Sequence, residues 1–95
     1  MRRDLPPGTQ AAQLIHAAGE SSPGNLPNST FAVALTCRDE GELHQLATRL
    51  DRAGIDFKLI REPDAPYNNQ LMAIGITPIR KSRVRKLLSN FPLVK

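Results

Sequence analysis

The side chains best spaced to do chemistry together lie in the first twenty residues. Thr9, Gln13, His16 and Glu20 recur at helical offsets, so on one helix they form a polar stripe. Ala11, Leu14, Ile15 and Ala18 form an apolar side of the same helix. Pro6 and Pro7 fix two φ angles and deny the residues before them a helical conformation, which predicts a helix starting at Gly8 or Thr9 with Thr9 as N-cap. Unbonded N–H groups and the helix dipole make such a terminus an anion site, and Arg2 and Arg3 just upstream add positive charge. A second candidate is Asp64, a carboxylate set between Pro63 and Pro66 where a strand is expected to end. His16 and Asp64 are the candidate acid and base. If the strands preceding them are parallel neighbours, both lie near the carboxyl ends of a sheet, where ligands of open α/β sheets bind. Each also has a plain structural reading: His16 as a hydrogen-bonded packing residue among alanines, Asp64 as a turn cap. Gln13 suits ligand binding or loop orientation better than reaction, and His44 reads as solvated.

The elements that must position these groups follow from changes of period. Gly19 to Ser29 is dense in turn formers and reads as a surface loop. Thr30 to Cys37 is an almost unbroken apolar run of strand length, which predicts a strand covered on both faces. Asp39 with Glu42 three residues later starts a helix with Leu43, Leu46, Ala47 and Leu50 inward, and Gly54 stops it. Ile55 to Arg61 and Gln70 to Ile76 read as strands, and Pro78 to Asn90 as a helix burying Val84, Leu87, Leu88 and Phe91. The expected fold is α/β, a three-layer α/β/α domain spanning residues 1–95, with a four-stranded mixed sheet in the order (β)αβαββα. Its first strand is cut to Met1 and Arg2. An apolar strand at 31–35 needs neighbours on both sides for its backbone groups, so a homodimer or a partner-completed sheet is expected.

Composition narrows the function classes. Ninety-five residues suit one domain with a modest core. No apolar run approaches membrane-spanning length and the first residues lack the apolar core of a signal peptide, so a cytoplasmic protein is expected. The lone Cys37 fits a buried thiol in a reducing compartment. No zinc-ligand cluster, Walker loop or GxGxxG is present, which leaves metal and nucleotide cofactors without support. With one tyrosine, three phenylalanines and no tryptophan, an aromatic platform for bases is not expected. The net charge of +4 is unevenly spread: no acid follows Asp64, whereas Arg80, Lys81, Arg83, Arg85, Lys86 and Lys95 do. On a helix with Val84, Leu87 and Leu88 inward, these cations face out and can follow a phosphate backbone, or simply meet solvent.

The first segment, Arg3-Asp4-Leu5 followed by Ala11-Ala12-Gln13-Leu14-Ile15-His16-Ala17, resembles the type-2 (archaeal and eukaryotic type) peptidyl-tRNA hydrolases. So, in the right order, do Asp39-Glu40-Gly41-Glu42-Leu43, Ala53-Gly54-Ile55, Leu59-Ile60-Arg61-Glu62-Pro63-Asp64 and Met72-Ala73-Ile74-Gly75. The resemblance spans nearly the whole chain and implies hydrolysis of the ester between peptide and tRNA ribose. That reaction needs a positioned water, a proton acceptor and donors aimed at the oxyanion. The implied catalytic residues are Asp64 and His16; Arg2, Arg3, Thr9, Gln13, Arg83 and Lys86 are expected to bind tRNA or another RNA. Two departures weigh against activity. The family's lysine-bearing loop is shortened here to Pro6-Pro7-Gly8-Thr9-Gln10, and Asp64 is followed by Ala65-Pro66-Tyr67-Asn68, without the family's glycine and threonine. Arg2 or Arg3 can replace the lost cation only as a charge stabiliser. The rival readings are a catalytically inactive member of the fold that binds RNA, a nucleotide or a protein, and an oligomerisation module.

Overall fold

A computed structural model describes residues 1–94, in which three helices and one hairpin follow in the order α1 (Pro7–Ser21), α2 (Glu40–Arg52), β1 (Phe57–Glu62), β2 (Gln70–Ile76) and α3 (Lys81–Leu88). The α1 helix begins earlier than the sequence suggested. Pro6 is its N-cap, without a side-chain cap, and Thr9 lies inside the first turn. Proline at the first helical position has no N–H to leave unsatisfied and already holds a helical φ, so the second proline starts the helix instead of delaying it.

The α2 helix carries both expected end signals. Asp39 Oδ1 accepts the Glu42 N–H at 3.0 Å, and Glu42 Oε1 reaches back to the Arg38 N–H at 2.9 Å. At the other end Gly54 takes φ +70°, the Ile55 N–H bonds Leu50 O at 3.1 Å and the Gly54 N–H bonds Asp51 O at 3.1 Å. This is a Schellman closure, and its apolar partners Leu50 and Ile55 are both buried. Ile55 is therefore part of the helix stop, and the strand starts at Phe57.

β1 and β2 pair antiparallel from Phe57↔Ile76 to Glu62↔Gln70, with an irregularity between Ile60 and Arg61. The turn between them ends on Asn68 and Asn69 at φ 47° and 71°, a region asparagine tolerates. Ile60 and Ala73 pack with Met1 and Ala17 of α1. Phe57, Ile74 and Ile76 pack instead with Leu46, Leu50 and Ile55 of the α2 region and with Val84, Leu87 and Leu88 of α3. At Gly75 the α1 backbone comes so close that a Cβ would run into Ala17 O and lie 2.9 Å from the Ser21 side chain.

The regular sheet has two strands, and the expected four-stranded, three-layer arrangement is not shown. Residues 30–37 are not the doubly covered strand that their composition suggested: Phe31 is 86% exposed and Val33 67%. They contribute only isolated bridges, Leu35↔Leu93 antiparallel and Arg2↔Cys37 parallel. Apolar composition makes a strand only where a neighbour completes its ladder, and the N-terminal residues reach no further than Leu35. There the Met1 ammonium donates to Leu35 O at 2.8 Å, the Cys37 N–H donates to Met1 O at 2.9 Å and the Arg3 N–H to Cys37 O at 2.8 Å.

Candidate functional site

Residues 2–4, 38–40 and 62–70 meet at one end of the hairpin, held by a buried arginine. Arg2 is 7% exposed. Its Nε and Nη2 donate to the two oxygens of Asp4, each at 2.9 Å, while Nη1 donates to Gln70 Oε1 at 2.8 Å and Leu71 O at 3.2 Å. The hydrogen bond from Arg2, with the guanidinium charge behind it, holds the Asp4 carboxyl below its ordinary pKa. Next to this pair Glu40 Oε2 accepts the Leu71 N–H at 2.8 Å, and that bond lowers the Glu40 pKa too, with His44 Nε2 3.5 Å away. Arg2 is thus internally engaged, and Arg3, exposed beside it, is the member of the pair that meets solvent.

Gln10 fixes the turn into α1, its amide donating to Leu5 O at 2.6 Å and Arg3 O at 3.2 Å. Arg3 and Gln10 share a cleft of about 440 Å³ with Thr36 and the tail Pro92 to Val94. Thr9 is half-buried in the first turn. Gln13 faces the hairpin, 4% exposed, and its Oε1 has no hydrogen-bond partner among the described residues.

Asp64 opens the turn between the strands. Its carbonyl accepts the N–H groups of Tyr67 and Asn68 at 3.0 and 3.1 Å, and its own N–H donates to Glu62 Oε1 at 3.2 Å. Its carboxylate is exposed and makes no hydrogen bond among the described residues. The turn closes on Gln70, the residue that also holds Arg2, so Asp64 belongs to the same end of the hairpin as Arg3. His16 lies on the exposed side of α1, two turns along. Neither His16 nor Asp64 lines the Arg3–Gln10 cleft or the larger groove beside β2. Arg80, Lys81, Arg83, Arg85 and Lys86 are all exposed on or just before α3, and none forms an ion pair among the described residues. Lys95 lies outside the described residues.

Sequence reasoning missed Glu40, Gln70 and Gln10. Glu40 read as a first-turn charge and Gln70 as the start of a strand; their roles arise only where the start of α2 and residues 2–4 meet β2. The family model described as peptidyl-tRNA hydrolase PTH2 matches residues 26–94. The chain belongs to this family. The PTH2 match takes in Asp64, the Glu40–Gln70 contacts and α3; α1, with Thr9, Gln13 and His16, precedes it. No curated protein and no solved structure gives a match.

Proposed function

We propose that this PTH2 chain hydrolyses the ester between a peptide and tRNA. The observation that carries the reading is the solvent-facing carboxylate of Asp64, within the matched region and at the same end of the hairpin as Arg3. In this reading Asp64 takes a proton from water as the water attacks the ester carbonyl, and returns it to the ribose oxygen as the C–O bond to the peptide breaks. The N–H groups of Gly8 and Thr9, in the first turn of α1, are the donors available to an oxyanion. Arg3 and, through its tie to Asp4 and Gln70, Arg2 set the charge of the site. His16 and Gln13 orient the substrate from α1, while Arg83 and Lys86 follow the tRNA backbone. The site works in the cytoplasm, and the remaining strands of a four-stranded, three-layer fold are completed by a second copy or a partner.

The test is turnover of N-blocked aminoacyl-tRNA by the purified chain. Asp64→Asn is expected to lower kcat by about a hundredfold or more, and His16→Ala by less. Wild-type turnover no faster than that of Asp64→Asn refutes the esterase. A second reading, an inactive RNA-binding member of the family, draws on a specific observation: the exposed cations of α3 have no acidic neighbour in the chain after Asp64. RNA binding without turnover is its signature.

A further inference from the structure

The strand β1 has two edges, and the hairpin uses one of them. The Thr77 N–H bonds Asp56 O at 3.2 Å and the Asn69 N–H bonds Glu62 O at 2.7 Å, so the backbone groups of the even-numbered residues turn toward β2. By the two-residue period of a strand, those of Phe57, Leu59 and Arg61 turn away from it. No backbone bond from outside the hairpin reaches these three among the described residues. The edge is also unbulged: Ile60 pairs with Ala73 and Arg61 with Leu71, which puts the extra residue, Met72, on β2. Residues 1–3 lie across the hairpin from it, where the Arg2 N–H bonds Met72 O on the other side of β2, so whatever completes the sheet there leaves this edge as it is.

The side chains along this edge have a symmetry of their own. Ile60 is buried against Ala17, on the α1 side of the hairpin. Lys58 and Glu62, two residues to either side, share that face. Lys58 is exposed and forms no ion pair among the described residues. Glu62 is half-buried and accepts the Asp64 N–H on Oε1 at 3.2 Å, with no partner for Oε2 among the described residues. On the opposite face Leu59 is 43% exposed, an apolar side chain at the margin of the sheet. Cations on an edge strand keep it single when they meet only one another. Here a cation and an anion stand equally far from Ile60, on opposite sides of it.

We infer that β1 pairs antiparallel with β1 of a second copy, about a two-fold axis opposite Ile60. That axis sets Lys58 of each copy directly across from Glu62 of the other, on one face and in the close, non-hydrogen-bonded positions where opposite charges attract. It sets Leu59 across from Arg61, so these two exchange both backbone bonds in each symmetric pair, and the arginine stem covers the exposed leucine. The neighbouring registers are worse. An axis at Lys58 or Arg61 sets that cation against itself, and one at Leu59 sets Glu62 against Asp56 and leaves Lys58 across from Ile60. The ladder ends at Pro63, which has no N–H to give, and the chain turns away at Asp64. The two hairpins then form one continuous antiparallel sheet, a closed isologous contact that consumes the edge. No residue assigned to ester hydrolysis takes part, so the pairing stands apart from the esterase.

The test is sedimentation equilibrium of the full chain from about 10 μM to about 1 mM, the range in which so short an interface is half-formed. A concentration-dependent dimer is expected, with amide exchange at Leu59 and Arg61 slowing as concentration rises and that at Ile74 and Ile76, on the other side of β2, unchanged. Lys58→Glu breaks no hydrogen bond of the fold and turns both charge pairs repulsive, so it should weaken dimerisation about thirtyfold. Glu62→Lys should weaken it similarly, and mixing the two variants should restore it, since they complement each other and not themselves. A monomer throughout this range, a dimer that Lys58→Glu leaves unchanged, protection at Ile74 and Ile76 instead of Leu59 and Arg61, or a mixture that stays monomeric overturns the inference.

Discussion

Replacing Arg2 by methionine keeps the unbranched apolar stem of the side chain and removes every donor. Asp4 loses two bonds at 2.9 Å, Gln70 Oε1 one at 2.8 Å and Leu71 O one at 3.2 Å. These losses are unequal. The Asp4 side chain is 41% exposed, so water replaces much of what it loses and that pair is worth about 0–1 kcal/mol. Leu71 is fully buried and Gln70 half-buried; losing a charged donor to such acceptors costs about 1–3 kcal/mol. The sum is about 3 kcal/mol, or roughly 10–20 °C in Tm for a domain of this size. Urea unfolding followed by circular dichroism measures it, with the slope against urea expected unchanged. Asp4→Asn, which leaves the Gln70 and Leu71 bonds in place, should cost less than about 1 kcal/mol. Arg2→Met within 1 kcal/mol of the parent, or Asp4→Asn as costly as Arg2→Met, refutes the view that the guanidinium acts chiefly by tying residues 2–4 to β2.

Gly75→Ala should destabilise by about 2–4 kcal/mol, because the new methyl meets the α1 backbone and cannot be accommodated by a rotamer change; thermal unfolding reads it, and a neutral result would mean that α1 shifts freely. Stability should also follow pH in a set pattern. Asp4 and Glu40 titrate low in the folded chain, so their contribution is present above the ordinary carboxylate range and lost as pH falls through their lowered values. Burial lowers the Met1 amine from 8.0, so stability rises as pH climbs toward that value, and burial raises the Cys37 thiol from 9.0, so stability declines above it; denaturant midpoints across pH check the order. RNA affinity should fall with salt at a log–log slope of about −0.7 to −0.9 per phosphate contact, and neutralising Arg83 and Lys86 together should flatten it, which filter binding at several salt concentrations measures.

Elements whose signals are local were legible in the sequence. The Asp39–Glu42 start and Gly54 stop of α2 lie on the residues whose types predicted them, and β2 spans the predicted Gln70 to Ile76, because caps and alternation act over a few residues. Segment 30–37 was misread because a strand is defined by its neighbours, and its own composition says nothing about whether they are present. For the site, residue type identified Asp64 and Arg3 as candidates that meet solvent, but could not foresee that Arg2 turns inward. That outcome depends on Gln70 and Leu71, which are near it only after folding.

The contacts of the first residues also have a consequence in time. The Met1 ammonium bonds a residue 34 positions away, and Arg2 reaches one 68 positions away. By contrast α2, its Schellman stop and the β1–β2 hairpin are assembled from neighbours between residues 39 and 76. Residues 1–3 can meet residues 35–37 early, but Arg2 is not fixed in place until β2 has been made. Closing so long a loop is the slow, entropically opposed step, and local elements form ahead of it. Residues 1–3 are therefore among the last to find their places, and a chain halted before Gln70 would carry Arg2 with neither Gln70 nor Leu71 to hold it.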